Sequence, residues 1–241
     1  MSKIYGQRLR LDPIEEQIIK KRKDNSNRVL VIGDLHSPFI KDGYLEFCLG
    51  IKEKYNCNII IFIGDLIDNH ASSYHETDPD GFSAKAELEE AKAKIQAWYY
   101  TFPQAKVCIG NHDRIPSRKV FTSGVSSSWV KTIQEVLETP NWEYGVEFLI
   151  DDVKYVHGTS NKARARAKND LISIVQGHYH TESYIDSFVG DRYRIFAMQI
   201  GSGIDRTAYS MARAIHFKKM QINCGVVLDN GKLPIIEFMD L

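Results

Sequence analysis

Ile59-Ile60-Ile61-Phe62-Ile63-Gly64-Asp65-Leu66-Ile67-Asp68-Asn69 is the stretch on which the fold turns. Its unbroken β-branched and aromatic run has the character of a strand buried on both faces. The run ends in Gly-Asp, where the backbone turns freely and a carboxylate stands clear. Asp65 is therefore expected at the C-terminal mouth of a central strand, the edge at which α/β sheets hold their ligands. Four further strand-like runs end in polar clusters: Val29–Ile32 before Gly33-Asp34-Leu35-His36, Val107–Ile109 before Gly110-Asn111-His112-Asp113, Val153–Val156 before His157-Gly158, and Ile172–Val175 before Gln176-Gly177-His178-Tyr179-His180. These strand ends are expected to converge on one site.

The 241 residues, 43% hydrophobic and 26% charged, suffice for one substantial core. We expect a single domain over 28–241, preceded by a helical extension over 1–27. Asp12-Pro13-Ile14-Glu15 carries the start signals of a helix running to about Lys23: an Asp cap, Pro at the first helical position and Glu in the reciprocal capping place. Lysine plus arginine and aspartate plus glutamate both number 31, so affinity for a polyanion must come from local clustering. Cys48, Cys57, Cys108 and Cys224 have no Cys-x-x-Cys spacing and read as buried thiols of a reducing compartment. The N-terminus lacks the apolar core of a secretion signal, and no run reaches the ~18–20 apolar residues of a membrane span, so we expect a cytoplasmic protein with no membrane contact.

Along the chain, Tyr44–Ile51 has helical spacing, and Ser83–Phe102 shows a clear stripe of Ala84, Leu88, Ala91, Ile95 and Trp98. The polar residues between Asn69 and Phe82, His70 and His75 among them, predict a loop beside the site. Ser117–Ser128 is expected as loop and Trp129–Leu137 as helix. Glu147–Ile150 and Val153–Val156 form an expected hairpin about Asp151-Asp152. Two more hairpins are expected about Gly190-Asp191 and Asn230-Gly231. Early βαβ units followed by late hairpins imply mixed sheets, not a purely parallel one. Lys162, Arg164, Arg166 and Lys168 alternate with alanine, which leaves a short helix and an extended arm both open. They are the candidate contacts to nucleic acid.

Asp34/His36 and His178/His180 stand two apart, so each pair points one way from extended chain. Nitrogen and carboxylate donors without thiolate favour Mn, Fe or Zn over Ca, and the set is too large for one closed tetrahedral zinc. Two metals sharing a carboxylate fit the count. Such a pair activates water and offsets charge on a phosphoryl group.

In order, Gly33-Asp34-x-His36, Gly64-Asp65-x-x-Asp68, Gly110-Asn111-His112-Asp113, His157-Gly158 and Gly177-His178-x-His180 resemble the motifs of the calcineurin-like metallophosphoesterases over about residues 29–180. The resemblance implies an α/β fold, a four-layer α/β/β/α sandwich of two mixed β-sheets flanked by helices. It implies two divalent metal ions, Mn first, with Fe or Zn as alternatives. Asp34, His36 and His180 would bind one ion, Asn111, His157 and His178 the other, and Asp65 would bridge. His112 would act on the transition state or the leaving oxygen, with Asp68 orienting its ring.

The phosphoprotein-phosphatase branch has Asp-Arg-Gly where this chain has Asp68-Asn69-His70, and Glu where it has Asp113. Without that Arg, a cation suited to a monoester dianion is missing; the nearest replacement, Arg114, follows Asp113, which is expected to neutralise it. The expected activity is that of a phosphodiesterase or small nuclease. The alternatives are a phosphomonoesterase of the same fold and a non-catalytic nucleic-acid- or protein-binding scaffold.

Overall fold

The computed structural model describes Pro13, Ile14, Gln17, 26–208 and 219–240. The expected N-terminal helix lies almost wholly outside these residues; Pro13, Ile14 and Gln17, which fall inside, are helical.

The first sheet has the order β11-β10-β1-β2-β3-β4. Its strands are β1 (Val29–Ile32), β2 (Ile59–Phe62), β3 (Lys106–Cys108), β4 (Glu143–Gly145), β10 (Asn223–Leu228) and β11 (Leu233–Phe238). β1 to β4 run parallel, and the β10–β11 hairpin adds antiparallel to β1. The second sheet, ordered β5-β6-β7-β9-β8, comprises β5 (Glu147–Ile150), β6 (Val153–Val156), β7 (Ser173–Gln176), β8 (Tyr184–Gly190) and β9 (Tyr193–Gln199). In it β6, β7 and β9 are parallel and the two outer pairings antiparallel. Both sheets are mixed, as the late hairpins imply.

Side-chain alternation builds the layers. Leu30, Ile32, Ile60 and Phe62 face one way, onto α1 (Tyr44–Lys54) and α2 (Ala84–Thr101), where Cys48, Ile95, Trp98 and Phe102 complete a core. Their neighbours Val29, Val31, Ile61 and Ile63 face the other way and meet Val153, Tyr155, Val175, Phe196 and Met198 of the second sheet. On that sheet's outer face Ile174 and Ala197 pack against Ala163 and Ala167 of α5 (Ala163–Asp170). The result is the expected α/β/β/α sandwich. All four cysteines are buried and free.

The β5–β6 turn is made by Asp151 and Asp152 at φ 52° and 59°, the left-handed pair that a two-residue hairpin takes. Ser83 caps α2 by accepting from the Ala86 amide. Two expectations fail between the sheets. The stretch expected as loop, Ser117–Ser128, opens inside α3 (Ile115–Thr122), which carries Pro116 in its first turn. The helix expected over Trp129–Leu137 is only α4 (Ile133–Leu137), because Thr132 and Glu135 form a reciprocal capping box that starts it later. Trp129 ends a short 3-10 turn instead and is 84% exposed.

Candidate metal centre

Because β1, β2 and β3 are parallel in one sheet and β6 and β7 in the other, their C-terminal ends deliver the polar motifs to a common edge. Glycines allow the loops to close on it. A Cβ on Gly110 would collide with Asp65 Oδ1, and one on Gly177 would collide with Asp34 Oδ1. These two glycines thus vacate the space that the Asp65 and Asp34 carboxylates need. His36, Asp65 and His178 stand at φ 48°, 47° and 73°, a left-handed backbone that non-glycine residues take only where the surroundings impose it, as at functional sites.

Asp34, His36, Asp65 and His180 bring one ligand-type atom each into a single cluster, Asp65, His157 and His178 form a second, and His36, Asp68 and His112 form a third at its flank. Asp65 belongs to the first two. Its Oδ2 lies 3.1 Å from His157 Nε2 and 3.6 Å from His36 Nε2. Asn111 Oδ1 lies 2.9 Å from His157 Nε2, placing it at the second cluster. His180 Nε2 lies 3.0 Å from Asp34 Oδ2 and 3.1 Å from His36 Nε2. All seven residues expected as ligands therefore meet at this edge.

Outer hydrogen bonds determine which nitrogens face inward. His36 Nδ1 is 2.6 Å from Asp68 Oδ1, so the proton belongs on Nδ1 and Nε2 keeps its lone pair for the cluster. His157 Nδ1 is 3.2 Å from the Ile63 carbonyl, with the same consequence. Asp34 Oδ1 is buried with no hydrogen-bond partner. An orphaned carboxylate oxygen beside inward-facing imidazole lone pairs, with no thiolate nearby, is a donor set that fits hard or borderline divalent cations.

The charges are strongly coupled to this geometry. Burial alone would raise the Asp65 carboxyl, but His157, His36 and His112 outweigh it and hold it well below the ordinary carboxylate range. Asp34 is likewise lowered, burial being outweighed by His157 and His180. His157 is opposed by burial yet pushed up to about 9 by Asp65 and Asp34. His36 is lowered, chiefly by burial.

Asp68 has a wider role than expected. Its carboxylate sits on His36, and its backbone carbonyl, 2.5 Å from His112 Nδ1, orients His112; the carboxylate is 3.5 Å from that same nitrogen. The His112 amide donates to Asp65 Oδ1 at 2.8 Å. Its ring keeps 30% exposure, and despite burial its pKa is raised by Asp65 and Asp68.

Other residues have supporting places. Asn69 donates its amide to the His112 carbonyl at 2.9 Å. Asp113 does not neutralise Arg114: its carboxylate accepts from the Gly110 amide at 2.8 Å and the Ile67 amide at 3.3 Å, and burial beside Asp65 pushes it up to about 7. Glu87, not among the residues expected at the site, accepts from the His70 and Ala71 amides and pins the 69–82 loop. Its place on the α2 stripe side is the only signal in the sequence, a carboxylate among apolar positions. His70 Nε2 accepts from the Asp78 amide within that loop, and the His75 amide donates to the Ser73 hydroxyl.

The basic segment is a helix, and its cations are engaged within the chain. Lys162 pairs with Glu182 at 2.5 Å, Arg164 with Asp186, and Arg166 donates to Gln176 at 3.2 Å. Lys168 lies 5.1 Å from the Phe188 ring centroid.

Comparison with known proteins agrees with the motifs. The family model of the calcineurin-like phosphoesterases matches residues 27–203. Among solved structures, a metallophosphoesterase from Sphaerobacter thermophilus is similar at 11% identity and TM-score 0.46, with 90% of this chain and 89% of that chain covered. Vacuolar protein sorting 29 from Cryptosporidium parvum is similar at 12% and 0.47, covering 90% and 92%. A nuclease from Pseudomonas putida is similar at 13% and 0.35, covering 88% and 87%. No curated protein matches. Among the described residues no helix is long and apolar enough to cross a membrane. With the family model spanning 27–203 of its 241 residues, this chain belongs to the calcineurin-like phosphoesterases.

Proposed function

We propose that the protein is a metal-dependent phosphodiesterase. In this reading Asp34, His36 and His180 hold one divalent ion, Asn111, His157 and His178 hold a second, and Asp65 bridges them. The observation that carries it is the sharing of Asp65 between two ligand clusters. Mn is the first choice for these nitrogen and oxygen donors, with Fe and Zn next. Two ions held there supply a water of lowered pKa and offset the charge that develops on phosphoryl oxygens.

The chain's own groups do the rest. His112 keeps Nδ1 on the Asp68 carbonyl, which leaves Nε2 of its partly exposed ring available to a substrate. Asp65 and Asp68 raise its pKa against burial, which favours the protonated ring that would donate to the departing ester oxygen. Asp68 holds His36 and His112 in register at once. Buried free cysteines support a reducing, cytoplasmic setting.

The diester preference rests on Asn69. Its side chain is turned onto the His112 carbonyl and brings no cation to the site. A diester carries one negative charge, which two ions already balance, whereas a monoester dianion needs more. A second reading, phosphomonoester hydrolysis, draws support from Arg114, whose neighbouring carboxylate is occupied by backbone amides. With Mn, bis(p-nitrophenyl) phosphate is expected to be hydrolysed with a higher kcat/KM than p-nitrophenyl phosphate. Preference for the monoester, abolished by Arg114→Ala, would establish the second reading instead.

A further inference from the structure

The segment 114–131 contains Arg114, Arg118, Lys119 and Lys131 and no acidic residue. Among the described residues none of these cations is in an ion pair, unlike Lys162 and Arg164 of α5. Lys131 feels Glu135 and Glu138 only at longer range. Three aromatic rings stand among the cations, with Phe121 83%, Trp129 84% and Tyr74 53% exposed. Arg118 and Lys119 lie 5.1 and 5.4 Å from the Tyr74 ring centroid, which ties the 69–82 loop to α3.

This surface starts at the metal centre. The Ile115 amide, at the head of α3, donates to the His112 carbonyl at 3.1 Å, and Asn69 donates to the same oxygen. An eight-residue helix extends about 12 Å, so Lys119 and Phe121 lie within a few nucleotides' reach of His112. Beside it is a largely apolar cavity of about 470 Å³, lined among others by Asn69, Asp113, Arg114, Pro116, Val120 and Ile133. That volume is in the range of small-ligand sites and has room for a nucleobase with its sugar.

We propose that Tyr74 and residues 114–131 form a binding surface for single-stranded nucleic acid, with phosphates on Arg118 and Lys119, bases on Tyr74, Phe121 and Trp129, and a diester delivered to His112. The proposal names the substrate class of the phosphodiesterase reading and rests on it. One polymer carrying bases and regularly spaced phosphates satisfies the rings, the cations outside ion pairs and the metal centre together. A membrane surface would also suit rings and cations. It is disfavoured because exposed Ser123, Ser126, Ser127 and Ser128 interrupt the apolar face between Phe121 and Trp129.

The test is fluorescence anisotropy of labelled oligo(dT) with the full-length protein in EDTA, where binding is read without turnover; chromogenic diester hydrolysis is measured separately with Mn. Wild type is expected to bind, more tightly than it binds a duplex. Trp129→Ala should weaken binding ~10-fold through removal of base stacking. Arg118→Gln with Lys119→Gln should flatten the slope of log K against log salt by about 0.7 for each phosphate no longer neutralised. Lys162→Gln with Arg164→Gln should bind as wild type does. Thermal melts report folding, which exposed positions should leave intact. Failure of wild type to bind oligo(dT), variants of Trp129 and Arg118/Lys119 that bind normally, or adsorption to phosphatidylglycerol vesicles in place of oligo(dT) would each overturn the surface. Diester hydrolysis without oligo(dT) binding would overturn this surface and leave the phosphodiesterase reading standing; binding without diester hydrolysis would sustain the surface and overturn that reading.

Discussion

Asp68 Oδ1 lies 2.6 Å from His36 Nδ1, so one carboxylate that is not itself in the two main clusters determines which nitrogen of a clustered imidazole faces inward. Carboxylate partners of this kind fix the tautomer and raise the basicity of a ligating histidine. Asp68→Asn is therefore expected to weaken metal affinity about 10–100-fold as well as slowing turnover, measured by titration with Mn. Metal affinity equal to wild type would show that the His36 contact does not govern binding.

His112→Ala should separate from this. Its Nδ1 is held by the Asp68 carbonyl and its ring is in neither Asp65 cluster, so both metals should remain while kcat falls by roughly 10²–10⁴. Quantifying metal and rate on the same sample decides it; loss of metal from this variant would make His112 a ligand.

The pH dependence follows from His157. In metal-free protein its pKa is raised from 6.5 to about 9 by Asp65 and Asp34 against the effect of burial. A raised histidine stabilises the fold fully below pH 6.5, and that contribution is lost as pH rises through about 9. Metal must displace this proton. Adding Mn near pH 7.5 should therefore release a proton, seen as a dependence of calorimetric heat on buffer ionisation. The gain in Tm from Mn over EDTA should grow from pH 6.5 to 9. A gain flat across that window would contradict ligation by His157.

Much of this site is legible in the sequence because its signals are local. Each ligand follows an apolar run, and the pairs two apart, Asp34/His36 and His178/His180, lie within single motifs. The hairpin at Asp151-Asp152 is readable for the same reason: residues that tolerate positive φ stand between two alternating runs. Pairings between distant segments are not. Arg164 meets Asp186 across 22 residues, and nothing near either residue announces it. The family resemblance offers Asp68 to His112 alone, yet its carboxylate also reaches His36, 32 positions earlier. α3 escapes a pattern-based reading because only Ile115 of its residues is buried, which leaves no apolar stripe. Its exposure is also what makes the 114–131 cations look like ordinary loop.

Asp65 is the one residue common to the two proposed metal sites, and metal stoichiometry probes that joint without intermediaries. Wild-type protein loaded with Mn and freed of excess should carry two ions per chain by elemental analysis. Asp65→Asn should lower that number and remove most diester hydrolysis, while the metal-free melting curve shows a folded protein. A wild type that saturates at one ion per chain, or an Asp65→Asn variant that retains both ions and full turnover, would contradict the shared site.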